Sequence, residues 1–262
     1  MSDRTEIIEN LDRCWASAGS LASRLTVGEW AAQSLCPDWT VQGVFAHLTA
    51  IEEVLLGWWP TGASDPPPFA AIPGIHAELS GAPTATVIDR FDAVVDRRRA
   101  ELATIDDGGF ATPCMTPVGP ATYGRFMAIR VFDCWIHERD VRVPLGLSGD
   151  DGGPSAEMAL DEVRGSLGYI VGKKIGLPDG MGIAFELTGP VEAQLLARVD
   201  GRAGLVDQLA EPDVTVTTDS LTFMLLACGR IDPEAAVADG RITWSGDDTL
   251  GARAVRNLRF TM

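Results

Sequence analysis

The most informative stretch of this chain, and the first evidence for its fold, is Val131-Phe132-Asp133-Cys134-Trp135-Ile136-His137-Glu138-Arg139-Asp140-Val141. The stretch is typical of a helix, and it places Asp133 and His137 four residues apart. Because side chains at positions i and i+4 lie one turn apart on the same helix face, this carboxylate and this imidazole are neighbours. Both groups are potential metal ligands. The pair therefore predicts part of a metal site, provided that a third ligand comes from a facing helix.

The composition argues against several classes of protein. The chain has 262 residues, of which 46% are hydrophobic and 22% are charged, so it is long enough for one large or two ordinary globular domains. Its formal net charge of −16 argues against nucleic acid as a partner, since the phosphates would be repelled. The only basic run, Arg97-Arg98-Arg99, is interpreted as a solvated helix face.

Cysteine usage and hydropathy predict the compartment. The five cysteines form no CxxC pair and are odd in number, so neither a disulfide framework nor a cysteine zinc site is indicated. The first residues are polar and acidic, unlike the basic start of a signal peptide. No apolar stretch approaches the ~18 residues that a membrane-spanning helix needs. We therefore expect a cytoplasmic protein without a membrane partner.

Four long helices are predicted in the first half of the chain. Apolar residues recur at helical spacing over residues 2–25, 40–58, 84–105 and 122–143, and Thr40 is a plausible N-cap of the second helix. The proline-rich connection between Pro60 and Pro83 is expected to be irregular and to form a lid or a wall of a site. His76 lies in this connection and is expected to be exposed. Four helices with one long crossover predict a four-helix bundle.

The second half of the chain changes character after the glycine-rich residues 149–154. We expect residues 1–148 to form the helical bundle and residues 149–262 to form a second domain. After a helix at 155–175, β-branched and apolar residues predict strands at 182–188, 191–199, 214–217 and 241–245. Short helices are predicted at 220–227, 233–238 and 248–258. The mixture predicts a small α+β domain, and the chain as a whole is assigned to the α+β class.

The second helix offers the third metal ligand, because His47 lies among its apolar residues. Two imidazoles and one carboxylate suit zinc or another divalent first-row ion, and three protein ligands leave a position open for catalysis. Asp140 is spaced to hold the other ring nitrogen of His137, and Arg130 to hold the Asp133 carboxylate, but both residues fit surface charges equally well. The alternative is structural, since a histidine on an apolar face is often a hydrogen-bonded core residue. Spacing alone leaves both interpretations open.

Three regions of the chain resemble those of one known family. Residues 39–48 read Trp39-Thr40-Val41-Gln42-Gly43-Val44-Phe45-Ala46-His47-Leu48, which resembles the W-[ST]-V-x-x-V-x-x-H-[LI] signature of the DinB-like metal-binding bundles. The best match among these bundles is the mycothiol-dependent maleylpyruvate isomerase family, whose fourth-helix motif resembles residues 130–141. Residues 221–247 are similar to the sterol-carrier-protein-like second domain of that family. The resemblance covers nearly the whole chain, in the same order.

The resemblance implies a metal-dependent enzyme. His47, Asp133 and His137 would hold a divalent metal, with Zn²⁺ expected, and mycothiol would be the thiol cosubstrate. The thiol would add to an electrophilic small molecule, either in a cis–trans isomerisation of the maleylpyruvate type or in an S-transfer. The characterised isomerase has glutamate at the position of Asp133, so the resemblance does not define the substrate.

Arg230 is the candidate catalytic residue of the second domain. It matches an arginine that the isomerase needs there, and the resemblance implies that it binds a substrate carboxylate through a bidentate contact. Its position directly after Gly229 also suits an arginine at a helix C-terminus, where a cation complements the helix dipole. Both interpretations remain open for the sequence alone.

Two other functions fit the same residues. The second domain could hold an apolar ligand, which would make the protein a non-catalytic small-molecule or lipid-binding protein. A metal-dependent hydrolase would instead use a metal-bound water. Metal content and co-purified lipid distinguish the binding protein from the enzyme. Thiol-dependence of turnover distinguishes the hydrolase from the thiol-dependent enzyme. In each case we expect a monomer or a homodimer.

Overall fold

The computed structural model describes residues 3–260, and the chain divides into two compact units after Gly149. The first unit is helical and the second combines helices with a sheet, so the predicted α+β class is confirmed. The sequence analysis placed the domain boundary after residue 148. None of the described helices is long and apolar enough to cross a membrane.

Four long helices form the frame of the first unit. Its elements are α1 (Arg4–Ala22), α2 (Val27–Trp30), α3 (Val41–Val54), α4 (Ile72–Ser80), α5 (Thr84–Thr104), α6 (Asp107–Phe110), β1 (Pro113–Thr116), β2 (Gly119–Thr122) and α7 (Tyr123–Arg142). Helices α1 and α3 each pack against α5 and α7. The packing buries the apolar faces that the periodicity predicted, including Leu11, Val44 and Phe91, and it also buries Phe126 on α7. The predicted four-helix bundle is therefore confirmed for the described residues.

Capping side chains explain where the two helices of the predicted site begin. The Thr40 side chain accepts a hydrogen bond from the Gly43 N–H, and the Thr122 side chain accepts one from the Arg125 N–H. Each cap satisfies a backbone donor that the first helical turn leaves without a partner. The predicted start of the second helix at Thr40 is confirmed, whereas its predicted end was four residues too late.

The proline-rich connection is only partly irregular. Helix α4 lies within it and packs against α3, so the prediction of a connection without regular structure was wrong. Pro73 occupies the first turn of α4, where proline is tolerated because the N–H that it lacks would have no helical partner. The β1–β2 hairpin was not predicted either, because two four-residue strands are too short for a visible alternation of apolar residues.

The second unit is built on a five-stranded sheet within the described residues. Its elements are α8 (Gly153–Gly165), α9 (Leu167–Tyr169), β3 (Gly182–Thr188), β4 (Ala193–Asp200), β5 (Arg202–Leu205), β6 (Val214–Asp219), α10 (Ser220–Ala227), α11 (Pro233–Ala238), β7 (Ile242–Gly246) and α12 (Asp248–Arg256). The strand order is β5-β4-β3-β6-β7, and only the β3–β6 pair is parallel. Strand β3 is central and buried along most of its length, as its apolar sequence predicts.

The helix predicted at residues 155–175 is interrupted. Helix α8 ends at Gly165, and the chain continues through α9 into a π-helical turn at Ile170–Ile175. Gly165, Gly168 and Gly172 lower the helix propensity over this segment, which explains why one continuous helix does not form. Strand β5 was missed because its four residues include a glycine and no β-branched side chain.

Candidate metal centre

Helices α3 and α7 bring the three predicted ligands together. His47 on α3 and the Asp133 and His137 pair on α7 each offer a ligand atom, and these atoms lie within 4.8 Å of one another. His47 Nε2 lies 3.6 Å from Asp133 Oδ2, and His137 Nε2 lies 3.7 Å from Asp133 Oδ1. The pair on α7 is stacked by its i, i+4 spacing, and the packing of α3 against α7 supplies the second imidazole. Metal binding by the three stays a prediction.

The donor atoms of this group fit a divalent ion. His47 Nε2 is buried and has no hydrogen-bond partner among the described residues. A buried polar nitrogen without a partner costs free energy unless a further group binds it. Its contact with Asp133 is longer than a hydrogen bond, and so is the contact between Asp133 and His137. Two imidazole nitrogens and a carboxylate oxygen are the donor set that zinc and neighbouring first-row ions prefer.

Asp140 determines which nitrogen of His137 faces the other ligands. His137 Nδ1 lies 2.8 Å from Asp140 Oδ2, as the spacing on α7 predicted. An ionised carboxylate only accepts hydrogen bonds, so Nδ1 carries the proton and Nε2 carries the lone pair. That lone pair points to the side of the ring where Asp133 and His47 lie. Nearly all metal-binding histidines have this arrangement.

Charges around the site favour the forms of the ligands that bind a metal. Burial lowers the pKa of His47, and the neighbouring His137 lowers it further, so that the imidazole is neutral near pH 7. Burial alone would raise the pKa of Asp133, but Arg130, His137 and His47 together outweigh this effect and hold the pKa well below its usual range. The site therefore presents a neutral imidazole beside an ionised carboxylate.

A second cluster lies behind His137 and includes Cys36, which the sequence analysis assigned no role. Cys36 Sγ lies 3.1 Å from Asp140 Oδ2 and 3.8 Å from His137 Nδ1, and the Leu35 N–H donates to the Asp140 carbonyl oxygen. These residues also satisfy the spacing of a metal group. Hydrogen bonds already explain their proximity, in contrast to the group that contains His47. Cys36 follows no periodic pattern, so nothing in the sequence pointed to it.

The indole of Trp39 is surrounded by the three histidines of the chain. Its ring centroid lies 4.8 Å from that of His47, 4.9 Å from that of His76 and 5.9 Å from that of His137. His76 lies on α4, is half-buried, and has its Nε2 atom 3.1 Å from the Gly43 carbonyl oxygen. The prediction that His76 is an exposed loop residue was therefore wrong. The reason is that α4 packs on α3 at this point.

Buried charges continue from Asp133 into the bundle. Arg130 donates to Asp133 through NH1, as predicted, and to Glu52 through Nε and NH2 at 3.0 and 2.9 Å. Glu52 also accepts a hydrogen bond of 3.1 Å from Arg98 Nε. The Arg98 side chain is fully buried, so the interpretation of residues 97–99 as a solvated face was wrong for this residue. Cys134 is buried beside Arg130, whose NH2 group lies 3.5 Å from its sulfur atom.

Arg230 belongs to the second unit. It follows Gly229, which has a left-handed conformation with φ of 65° at the end of α10, and its backbone N–H donates to the Leu225 carbonyl oxygen. Its guanidinium NH1 donates to the Cys228 carbonyl oxygen at 3.1 Å. This contact is typical of an arginine at a helix C-terminus. A role toward a substrate stays a prediction.

Together, the bundle and its histidine–aspartate–histidine group define a helical protein with a candidate metal centre, followed by an α+β unit. The family described as "Mycothiol maleylpyruvate isomerase N-terminal domain" matches residues 11–142, and "MDMPI C-terminal domain" matches residues 157–253. The chain therefore belongs to the mycothiol maleylpyruvate isomerase family. The family resemblance that the sequence motifs indicated is confirmed.

Solved structures of one isomerase share this fold over nearly the whole chain. The crystal structure of the mycothiol-dependent maleylpyruvate isomerase is 17% identical, has a TM-score of 0.68, and matches over 99% of this chain and 98% of its own. A mutant of that isomerase, with one histidine replaced by alanine, gives a TM-score of 0.66 at the same identity and coverage. Sterol carrier protein 2 from Yarrowia lipolytica, at 16% identity, covers 39% of this chain and 88% of its own, with a TM-score of only 0.29. Comparison with curated proteins gave no match.

Proposed function

We propose that this protein is a mycothiol-dependent enzyme that isomerises a small cis-configured electrophile of the maleylpyruvate type at a divalent metal, with Zn²⁺ as the expected ion. The observation that carries the proposal is the buried Nε2 of His47, which lacks a hydrogen-bond partner among the described residues and faces Asp133 and His137. Membership of the isomerase family supports the thiol and the reaction class. Hydrogen-bonded core histidines would not leave this nitrogen without a partner.

His47, Asp133 and His137 would hold the ion, and they leave a position open for the thiol. A divalent cation at this site would stabilise a thiolate, so that mycothiol could react as a nucleophile near neutral pH. Asp140 keeps the His137 lone pair on the ligand side, and Arg130 contributes to keeping Asp133 ionised. Arg230 is proposed to bind a carboxylate of the substrate.

The fate of the thiol adduct distinguishes two related reactions. Addition of the sulfur to an alkene carbon breaks the C=C π bond and permits rotation, and elimination then returns the thiol and the trans isomer. If elimination does not follow, the thioether persists and the protein is an S-transferase.

No disulfide joins the cysteines of the described residues, which supports the expected cytoplasmic location, where low-molecular-weight thiols are kept reduced.

The experiment measures metal content and thiol-dependent turnover in the purified full chain. We expect about one metal ion per wild-type chain, a loss of metal in His47→Ala and His137→Ala, and full retention in the matched control His76→Ala. Full retention of metal in both ligand variants would contradict the metal site. Turnover should need mycothiol, and turnover without it would favour the metal-dependent hydrolase. A protein that contains no metal and co-purifies with lipid would favour the non-catalytic binding protein.

A further inference from the structure

A row of alternating buried charges connects the candidate metal site with the interior of the bundle. It runs from Arg98 on α5 through Glu52 on α3 to Arg130 and Asp133 on α7. The side chains of Arg98, Glu52 and Arg130 are 0%, 1% and 3% exposed, and that of Asp133 is 26% exposed. Asp133 is more exposed than these three side chains, and a metal would bind at this end of the row; at the other end, Arg98 also ion-pairs with Glu101, whose side chain is 24% exposed.

Glu52 lies between the two arginines of the row and accepts hydrogen bonds from both. Its Oε2 atom accepts from Arg98 Nε at 3.1 Å, and its Oε1 atom accepts from Arg130 Nε and NH2 at 3.0 and 2.9 Å. The two contacts on one side of the Arg130 guanidinium fix the plane of that group, because the guanidinium is rigid. The remaining NH1 group is then directed at Asp133.

This direction has a consequence for the Asp133 carboxylate. Arg130 binds at Oδ2, which also lies 3.6 Å from His47 Nε2, whereas Oδ1 lies 3.7 Å from His137 Nε2. The carboxylate is thus held at one oxygen, and it cannot rotate away from the two imidazoles without losing a charged hydrogen bond. Aspartate has a single methylene, so its carboxylate position depends on χ1 and on this contact.

The same contact places a positive charge beside a site proposed for a cation. An arginine at this position would repel the ion unless its charge were balanced nearby. Glu52 contributes to the balance, because it is buried next to Arg130 and ion-pairs with it directly, while Arg98, its other partner, also ion-pairs with Glu101. Two independent effects, orientation and charge, therefore predict that the loss of Glu52 weakens metal binding.

We propose that Glu52 is a positioning residue of the metal site: through Arg130 it orients the Asp133 carboxylate toward His47 and His137 and neutralises the guanidinium beside them. The inference rests on the proposed metal site and adds a residue that does not itself face the ion. Partners of this kind, which act through a ligand, change metal affinity by about 10- to 100-fold when they are removed.

The test measures the Zn²⁺ dissociation constant of the full chain by competition with a chromophoric chelator. We expect Glu52→Met to raise this constant about 10-fold or more. The matched control is Glu53→Met, which removes the same charge from the next residue of α3, where the carboxylate binds Arg90 near the surface at 2.7 Å. The control should keep the wild-type constant within about twofold.

A second set of variants separates positioning from folding, because Glu52→Met leaves two buried arginines without their shared partner and is expected to be unstable. Arg98→Met removes the arginine that does not contact Asp133 and should keep the wild-type constant. The double variant Glu52→Met with Arg98→Met restores the charge balance away from the site. It should fold, as judged by circular dichroism and thermal unfolding, and still bind Zn²⁺ about 10-fold more weakly.

The outcomes distinguish the two proposals. If the folded double variant binds Zn²⁺ as the wild type does, the role of Glu52 is overturned and the metal site stands. If the wild type binds no Zn²⁺, the proposed function is overturned and the inference falls with it. A weakened Glu53→Met control would show that any nearby negative charge suffices, and this too would overturn the positioning role.

Discussion

His137 Nδ1 and Asp140 Oδ2 lie 2.8 Å apart, one turn from each other on the same face of α7. The Asp140 side chain is fully buried, and it also accepts from Cys36 Sγ. Asp140 therefore contacts His137 on the side of the ring opposite the other two candidate ligands, because it binds the ring nitrogen that is turned away from His47 and Asp133. The orientation of the His137 lone pair depends on this one carboxylate.

Replacement of Asp140 by asparagine should weaken metal binding. An asparagine can donate or accept at Nδ1, so it no longer imposes one tautomer on His137. We expect the Zn²⁺ dissociation constant to rise by about 10- to 100-fold. Chelator competition measures the effect, and His76→Gln, a change beside Trp39 outside the ligand group, should leave the constant unchanged. An unchanged constant in Asp140→Asn would show that the tautomer is held by another group.

The metal-free protein should lose stability as the pH falls below about 6.5, the ordinary pKa of a histidine. Burial lowers the pKa of His47 in the folded chain, so in this range the unfolded chain binds a proton at His47 that the folded chain does not. The free energy of unfolding therefore falls with falling pH until the folded-state pKa is passed.

Thermal unfolding in the presence of a chelator, between pH 7.5 and 5, measures this dependence. The variant His47→Gln should have a shallower decrease in Tm over the same range, because its side chain does not titrate. His76→Gln serves as the control and should keep the wild-type slope. An identical slope in wild type and His47→Gln would assign the pH dependence to other groups.

Replacement of Gly246 by alanine should destabilise the second unit. Gly246 has a φ of 89°, and a Cβ there would overlap the carbonyl oxygen of Asp213. We expect a loss of more than about 1 kcal/mol. Gly240→Ala is the matched control, since Gly240 has a φ of 69° but no described atom lies within 4 Å of its Cβ position. Denaturant unfolding should give a clearly lower free energy of unfolding for Gly246→Ala than for Gly240→Ala.

Kinetics can separate the two roles of Arg230. If Arg230 binds a substrate carboxylate, Arg230→Ala should raise the KM for the electrophile at least about 10-fold, the usual cost of a lost charged contact, and leave the KM for mycothiol unchanged. If it serves only the end of α10, where it donates to Cys228, the Tm should fall and both KM values should stay constant. Arg230→Lys keeps the charge and should retain the Tm. If Arg230 binds the substrate, this variant should keep only part of the substrate affinity, because lysine cannot form a bidentate contact.

Local sequence predicted most of the elements and all three candidate ligands. Strand β3 and helices α10 and α11 begin and end where the sequence analysis placed them, and α5 and α7 do so within one residue. These elements have strong periodicity, clear caps or a bounding glycine or proline. Asp133 and His137 were found for the same reason, because i, i+4 proximity is a property of any helix.

The remaining residues of the site could not be found in this way. Glu52 and Glu53 are adjacent acidic residues on α3, and only the packing of α5 and α7 shows that Glu52 is buried between Arg98 and Arg130. The same packing explains why Arg98 is buried within a basic run. His76 was misplaced because its burial depends on the contact between α4 and α3.

The sequence by itself determined the helical bundle, the α+β second half, the family and the identities of the three candidate ligands, because each rests on periodicity, caps or motifs within a short stretch of chain. Only the tertiary structure decided that His47 meets Asp133 and His137, that Asp140 directs the His137 lone pair, and that Glu52 joins two buried arginines behind the site. Those relationships join residues from different helices, and helix packing, which no local pattern encodes, brings them together.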